Sequence, residues 1–143
     1  MLTGACRRLK FYAMLTLEKL IVDTHSDFSP WSAVSVGFTD DRNFVVELEY
    51  RGYDPTELYA GADDHASDYD LLAIVSFDDA FKIARRLGVR LTELPEAIYD
   101  RFGEDYDDPE STSPHVESVY YDILGFINGC GVRYRTEKRL VRD

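Results

Sequence analysis

The sequence predicts an α+β fold: a mostly antiparallel sheet of about four to five strands packed against about three helices. Three observations carry this. Two neighbouring stretches alternate apolar and polar residues around a short polar turn. A continuous apolar run at residues 71–75 leads through a helix-start signal into an amphipathic helix. Two further helical patterns then precede a last alternating stretch, so the order is strands, helices, strand.

Residues 15–22 read as a strand through Leu20-Ile21-Val22, although Leu17, Leu20 and Ile21 also fit helical spacing. Asp27-Phe28-Ser29-Pro30 is a turn sequence. Along residues 31–38, Val34, Val36 and Phe38 share one face, with Ala33, Ser35 and Gly37 on the other. Thr39-Asp40-Asp41-Arg42-Asn43 is a polar turn of hairpin length. Phe44, Val46, Leu48 and Tyr50 then line one face of the next strand, opposite Val45, Glu47 and Glu49. This pattern predicts a hairpin with one face in water. Residues 51–70 read as loop, with a helical turn at 55–59.

The most legible stretch is 69–88. Leu71, Leu72, Ala73, Ile74 and Val75 form an unbroken apolar run, which predicts a strand buried on both faces. Ser76 stands at a helix N-cap, and Asp78 and Asp79 place negative charge at the positive end of the helix dipole. Phe77, Ala80, Phe81, Ala84 and Leu87 recur at helical spacing as an apolar stripe. Arg85 and Arg86 suit the last turn, and Gly88 suits the position just past it. A second helix is predicted at 92–102, with Leu94, Ala97, Ile98 and Phe102 inward. Residues 104–113 are an acidic loop. Ser113-Pro114 opens a third helix, whose stripe is Val116, Val119, Tyr120, Ile123 and Ile127. Val132, Tyr134 and Thr136 alternate with Arg133 and Arg135 as a final strand.

No internal repeat and no linker divides the chain, so residues 1–143 read as one domain. Residues 1–13 contain no acid, and Met14-Leu15-Thr16 repeats the opening Met1-Leu2-Thr3, so that segment reads as an extension outside the core. The 45% hydrophobic and 13% aromatic content is that of a globular protein. Cys6 and Cys130 lie near opposite ends with no second pair, which argues against a disulfide scaffold and for a reducing, cytoplasmic compartment. No apolar run approaches the ~20 residues that cross a bilayer, so no membrane association is expected.

Candidate chemistry is sparse. Asp63, Asp64, His65, Asp68 and Asp70 crowd into the stretch DDHASDYD, and carboxylates with an imidazole suit a divalent cation. The calcium-loop pattern fails there: its sixth position is not Gly, and Ile74 stands where the closing Glu belongs. Residues 83–89 resemble the start of a DNA-binding helix-turn-helix, but Pro95 would fall inside the recognition helix. Cys130 follows a helix rather than preceding one, so it lacks the N-terminal placement of an activated nucleophilic thiol. There is no Gly-x-Ser-x-Gly elbow and no phosphate loop. Glu47 and Glu49 share a strand face, which reads equally as a solvated face. The sequence therefore assigns no catalytic residue and no cofactor.

Charge is more informative. The formal net charge of −11 disfavours direct nucleic-acid binding and favours attraction of basic partners. Residues 40–70 hold ten acids against Arg42 and Arg51, and residues 104–122 hold seven acids and no base. These windows also contain seven of the ten tyrosines, a residue enriched at interfaces. The expectation is a module that docks a basic protein through two acidic loops, using Tyr53, Tyr59, Asp63, Asp64, Asp68, Asp105, Tyr106, Asp107 and Asp108. Tyr50 and Tyr120 are expected in the core. Small acidic α+β proteins that neutralise a toxic enzyme, such as bacterial immunity proteins, are similar in composition and size. The alternatives are a DNA mimic, which needs carboxylates in rows at phosphate spacing, and a metal-dependent enzyme built on the Asp63–Asp70 cluster. Equilibrium dialysis with metal analysis separates the last: the account expects no stoichiometric ion, and a retained ion would establish the metal reading.

Overall fold

The computed structural model describes residues 15–24, 30–52, 68–104 and 112–140. Five antiparallel strands stand in sequence order: β1 (Thr16–Asp23), β2 (Trp31–Phe38), β3 (Phe44–Arg51), β4 (Tyr69–Val75) and β5 (Arg135–Leu140). Between β4 and β5 the chain forms α1 (Phe77–Leu87), a short 3-10 turn (Leu91–Glu93), α2 (Leu94–Phe102) and α3 (Ser113–Gly129). The result is the expected antiparallel α+β architecture with three helices.

The β2–β3 hairpin closes as its turn residues dictate. Thr39 and Asn43 bond through their backbones at 2.9 Å, and Arg42 takes the left-handed conformation at φ 67. Register then follows from the alternation: Val34 pairs with Leu48, Val36 with Val46, and Leu48 in turn with Leu71. These residues form one core with Phe44, Ala73 and Val75 of the sheet and with Ile83, Leu94, Ile98, Tyr120, Ile123 and Ile127 of the helices.

α1 starts and stops where its caps predict. The Ser76 hydroxyl accepts the Asp79 N–H at 3.2 Å, and Gly88 takes φ 73, which lets its N–H reach back to the last turn. Its buried side is Ala80, Ile83 and Ala84. Phe81 is not inward, as its spacing suggested; it is 42% exposed, in edge contact with Phe77 at 5.1 Å. Ile83 holds the core position instead, because the packed stripe is rotated toward α2. Pro95 lies in the first turn of α2, where its missing N–H costs nothing.

Two further expectations are corrected. The last strand is Arg135–Leu140 rather than 132–136, since Gly131 turns the chain at φ 78 and Val132 is spent as a buried plug before pairing begins. The second face of the hairpin is not wet. Ala33, Val45 and Glu47 are each no more than 3% exposed.

The edges are protected from further pairing. β1 carries register shifts and a left-handed Leu17 at φ 55, while β5 presents Arg135, Glu137, Lys138 and Arg139. Among the described residues no helix is long and apolar enough to cross a membrane.

Urea denaturation checks this packing. Ile123→Ala should lose about 2–5 kcal/mol by leaving a core cavity, whereas Ser76→Ala should lose about 1 kcal/mol through its cap alone.

Candidate functional site

Two arrangements of polar and aromatic side chains stand out, one on each face of the sheet. The first lies on the helix side at the sheet end where β3 ends and β4 begins. Register aligns Ser32, Tyr50, Tyr69 and Leu140 there in one row across four strands. Tyr50 and Tyr69 stack at 5.0 Å with their planes 22° apart. Lys138 of β5 sits over the Tyr69 ring, its Nζ 4.6 Å from the centroid. α3 begins at the same end, its first residue Ser113 hydrogen-bonded to Ser32 through their hydroxyls. Two turns of that helix bring Glu117 and Tyr121 beside Tyr69.

Tyr121 is 56% exposed and Leu140 48%, while Tyr50 and Tyr69 are half-buried. The four make a partly apolar ledge bounded by Glu117 and Lys138. Tyr120 is buried as expected, in edge contact with Tyr121 at 5.1 Å. Tyr50 departs from the expected core position: one residue before the end of β3, it is half-buried and stacks on the ring of Tyr69.

Burial raises the Tyr69 pKa above its ordinary 10.0, helped by Glu117, Tyr50 and Tyr121. Burial, then Tyr121, Tyr134 and Glu47, push Tyr120 much further up. Both hydroxyls therefore stay neutral and able to donate at any physiological pH.

The second arrangement lies on the far face. Glu47 and Glu49 of β3 and Asp70 of β4 bring carboxylate oxygens within 4.8 Å of one another. Glu47 is 3% and Asp70 1% exposed, so the Glu47–Glu49 pair is not the solvated face its pattern allowed. Arg51 Nη1 lies 3.0 Å from Asp70 Oδ1 and also donates to the carbonyls of Tyr50 and Tyr69. Arg139 is the register partner of Asp70 and donates to Glu137 at 2.9 Å. Oxygen-only donors of this kind suit hard divalent cations. Here the Arg51 guanidinium already takes that role at Asp70.

Sequence reasoning saw these three acids separately. Asp70 belonged to the DDHASDYD crowd and the two glutamates to a strand pattern. Only the β3–β4 register, Glu49 opposite Asp70, joins them, and no local signal announces a register.

Of the expected interface and metal residues, Tyr53, Tyr59, Asp63, Asp64, His65, Asp105, Tyr106, Asp107 and Asp108 lie outside the described residues. Asp68 is described, and its Oδ1 accepts the Gly52 N–H at 2.9 Å. That bond ties together the two chain positions between which the first acidic segment runs. Glu104 and Thr112 flank the second segment. Glu104 bonds His115 of α3 at 2.7 Å, and its N–H donates to the Ile21 carbonyl at 3.0 Å.

A cleft of about 210 Å³ between β1 and α2 is lined by Glu18, Lys19, Leu20, Ile21, Tyr99 and Glu104. It is smaller than the roughly 300–1,000 Å³ of ligand sites. Lys19 is engaged beside it, 4.6 Å from the Tyr99 ring centre and 3.4 Å from Glu96.

No family model, curated protein or solved structure matches this chain. The functional reading rests on its own residues.

Two measurements follow. A buried carboxylate that loses its cation is strongly destabilising, so Arg51→Met should lower stability by about 3 kcal/mol. Arg51→Met combined with Asp70→Leu should recover most of it in urea melts. Tyr120 has a raised folded pKa, so its contribution is complete below the unfolded value near 10.0 and is lost as pH rises beyond it. The unfolded chain there releases a proton that the native state retains, giving a slope of about 1.4 kcal/mol per pH unit. Stability curves between pH 9 and 11 (on the order of one such slope) should fall less steeply for Tyr120→Phe.

Proposed function

We propose that this protein is a small acidic protein-binding module that docks a basic protein partner, with the tyrosine ledge at the centre of its contact surface. The observation that carries this reading is the convergence of Tyr50, Tyr69 and Tyr121 beside Glu117, at the sheet end where Gly52 and Asp68 bound the first acidic segment. Tyrosine supplies broad contact area at little entropic cost, and a polar rim of carboxylates steers a cationic partner toward it. Lys138 over Tyr69 is an internal example of how an ammonium or guanidinium group seats on this ledge. Docking would set the partner's own cations on the exposed ring of Tyr121 and against Glu117.

A toxin-neutralising, immunity-like role in the cytoplasm is the specific form this reading takes, because such a role needs a soluble acidic surface and no chemistry of its own. The DNA-mimic alternative draws less support. It requires exposed carboxylates in spaced rows, whereas Glu47, Glu49 and Asp70 converge, and two of them are buried.

Affinity capture from the native host with mass spectrometry tests the proposal. Wild-type bait should retain a basic protein that is lost with Tyr69→Ala/Tyr121→Ala and, separately, with Asp64→Lys/Asp105→Lys/Asp108→Lys. The acid-reversed bait should keep its melting temperature. Asp68 is left unchanged because it bonds Gly52. Capture that survives both sets of changes would overturn the reading.

A further inference from the structure

The Tyr69 ring has two neighbours of unlike kind. Tyr50 stacks on it at 5.0 Å, and the Lys138 ammonium stands 4.6 Å from its centroid. They approach from β3 and β5, the strands on either side of β4. Register explains the reach of Lys138. Tyr69 pairs with Leu140 and Leu71 with Lys138, so Lys138 is the diagonal neighbour of Tyr69 on the helix side. A long side chain spans that diagonal.

The other two cations of β5 behave differently. Arg135 and Arg139 both pair with Glu137, at 3.7 and 2.9 Å. Alternation places those three residues on the far face, so Lys138 turns to a ring instead. Its side chain is exposed, and a cation over a ring at the surface is held weakly. A guanidinium suits the same place better. It stacks flat on an aromatic face and keeps N–H groups for a carboxylate, whereas an ammonium is a compact, strongly hydrated charge. Glu117 beside Tyr69 supplies that carboxylate.

We propose that Lys138 is a self-ligand of the tyrosine ledge, which an arginine of the basic partner displaces in order to reach both Tyr69 and Glu117. Lys138 then sets the affinity of the ledge and also its preference for arginine. An incoming lysine brings only the ion that is already seated, so it gains little by exchange. The inference rests on the docking reading, and it deepens that reading by naming arginine as the partner's contact.

Titration of the full-length protein with a tetra-arginine peptide, followed by calorimetry and by NMR of Lys138, tests it. In the free protein the Lys138 Hε signals should lie upfield through the Tyr69 ring current. They should move to the position of a free lysine as the peptide binds. Lys138→Gln should bind the peptide severalfold more tightly, and Lys138→Arg no more tightly than wild type. Arg85→Gln, which removes an exposed cation from α1, should change the affinity little. A tetra-lysine peptide should bind wild type severalfold more weakly than tetra-arginine. No gain from Lys138→Gln, an equal gain from Arg85→Gln, equal affinity for the two peptides, or Hε signals that do not move would each overturn the displacement and leave the ledge as a docking site. Binding that Tyr69→Ala/Tyr121→Ala leaves unchanged would overturn the docking reading itself, and this inference with it. So would the absence of binding to both wild type and Lys138→Gln.

Discussion

The pairing of β3 with β4 is the constraint on which the rest of this molecule depends. Seven register pairs join the two strands, from Phe44–Val75 to Tyr50–Tyr69. Because side chains alternate, that one ladder builds two unlike surfaces. Its helix side carries Phe44, Val46, Leu48, Ala73 and Val75, and all three helices close over them. Its far side carries Val45, Leu72 and Ile74 at one end and Glu47, Glu49 and Asp70 at the other. A slip of one residue would send the acids into the helix core, so the burial of both faces fixes the register more firmly than either face alone.

The same ladder sets the position of the tyrosine ledge. Tyr50 and Tyr69 are its terminal pair, and they lie beside the first turns of α3. There the apolar core gives way to rings that are half-buried, with Tyr121 and Leu140 exposed beside them. Tyr69 shows how burial and charge act together: desolvation and Glu117 both disfavour its ionised form, so the ring keeps a neutral hydroxyl at its rim. Among the described residues, the opposite end of the sheet, with its Thr39–Asn43 turn, has no comparable gathering of tyrosines. In the proposed reading, function and scaffold separate along the strand direction, with contact at the β3–β4 loop end and packing in the middle.

Much of the fold was legible in the sequence, for reasons that can be named. Strands β2, β3 and β4 announce themselves by period and by bounding turns, and α1 by Ser76, Gly88 and its charges. α3 is given by five apolar positions that are all buried. What failed did so where tertiary packing overrides local pattern. Phe81 fits a stripe that the core does not use. Val132 looks like a strand residue but serves the core before pairing begins. The wet face expected for the hairpin was inferred from Glu47 and Glu49, and a glutamate on a strand says nothing about what lies over it. The site was less legible than the fold. Tyr69 lies some fifty residues from Glu117 and Tyr121, and their meeting depends on how α3 lies on the sheet, which no local spacing encodes.

The central claim is that contact with a partner is made at the tyrosine end of the sheet. Hydrogen–deuterium exchange on the full-length protein, alone and with a basic protein that affinity capture retains, tests this most directly. The account predicts added protection at residues 69–71, 117–122 and 138–140, with α1 unchanged. Protection confined to α1 and the Thr39–Asn43 turn would contradict it.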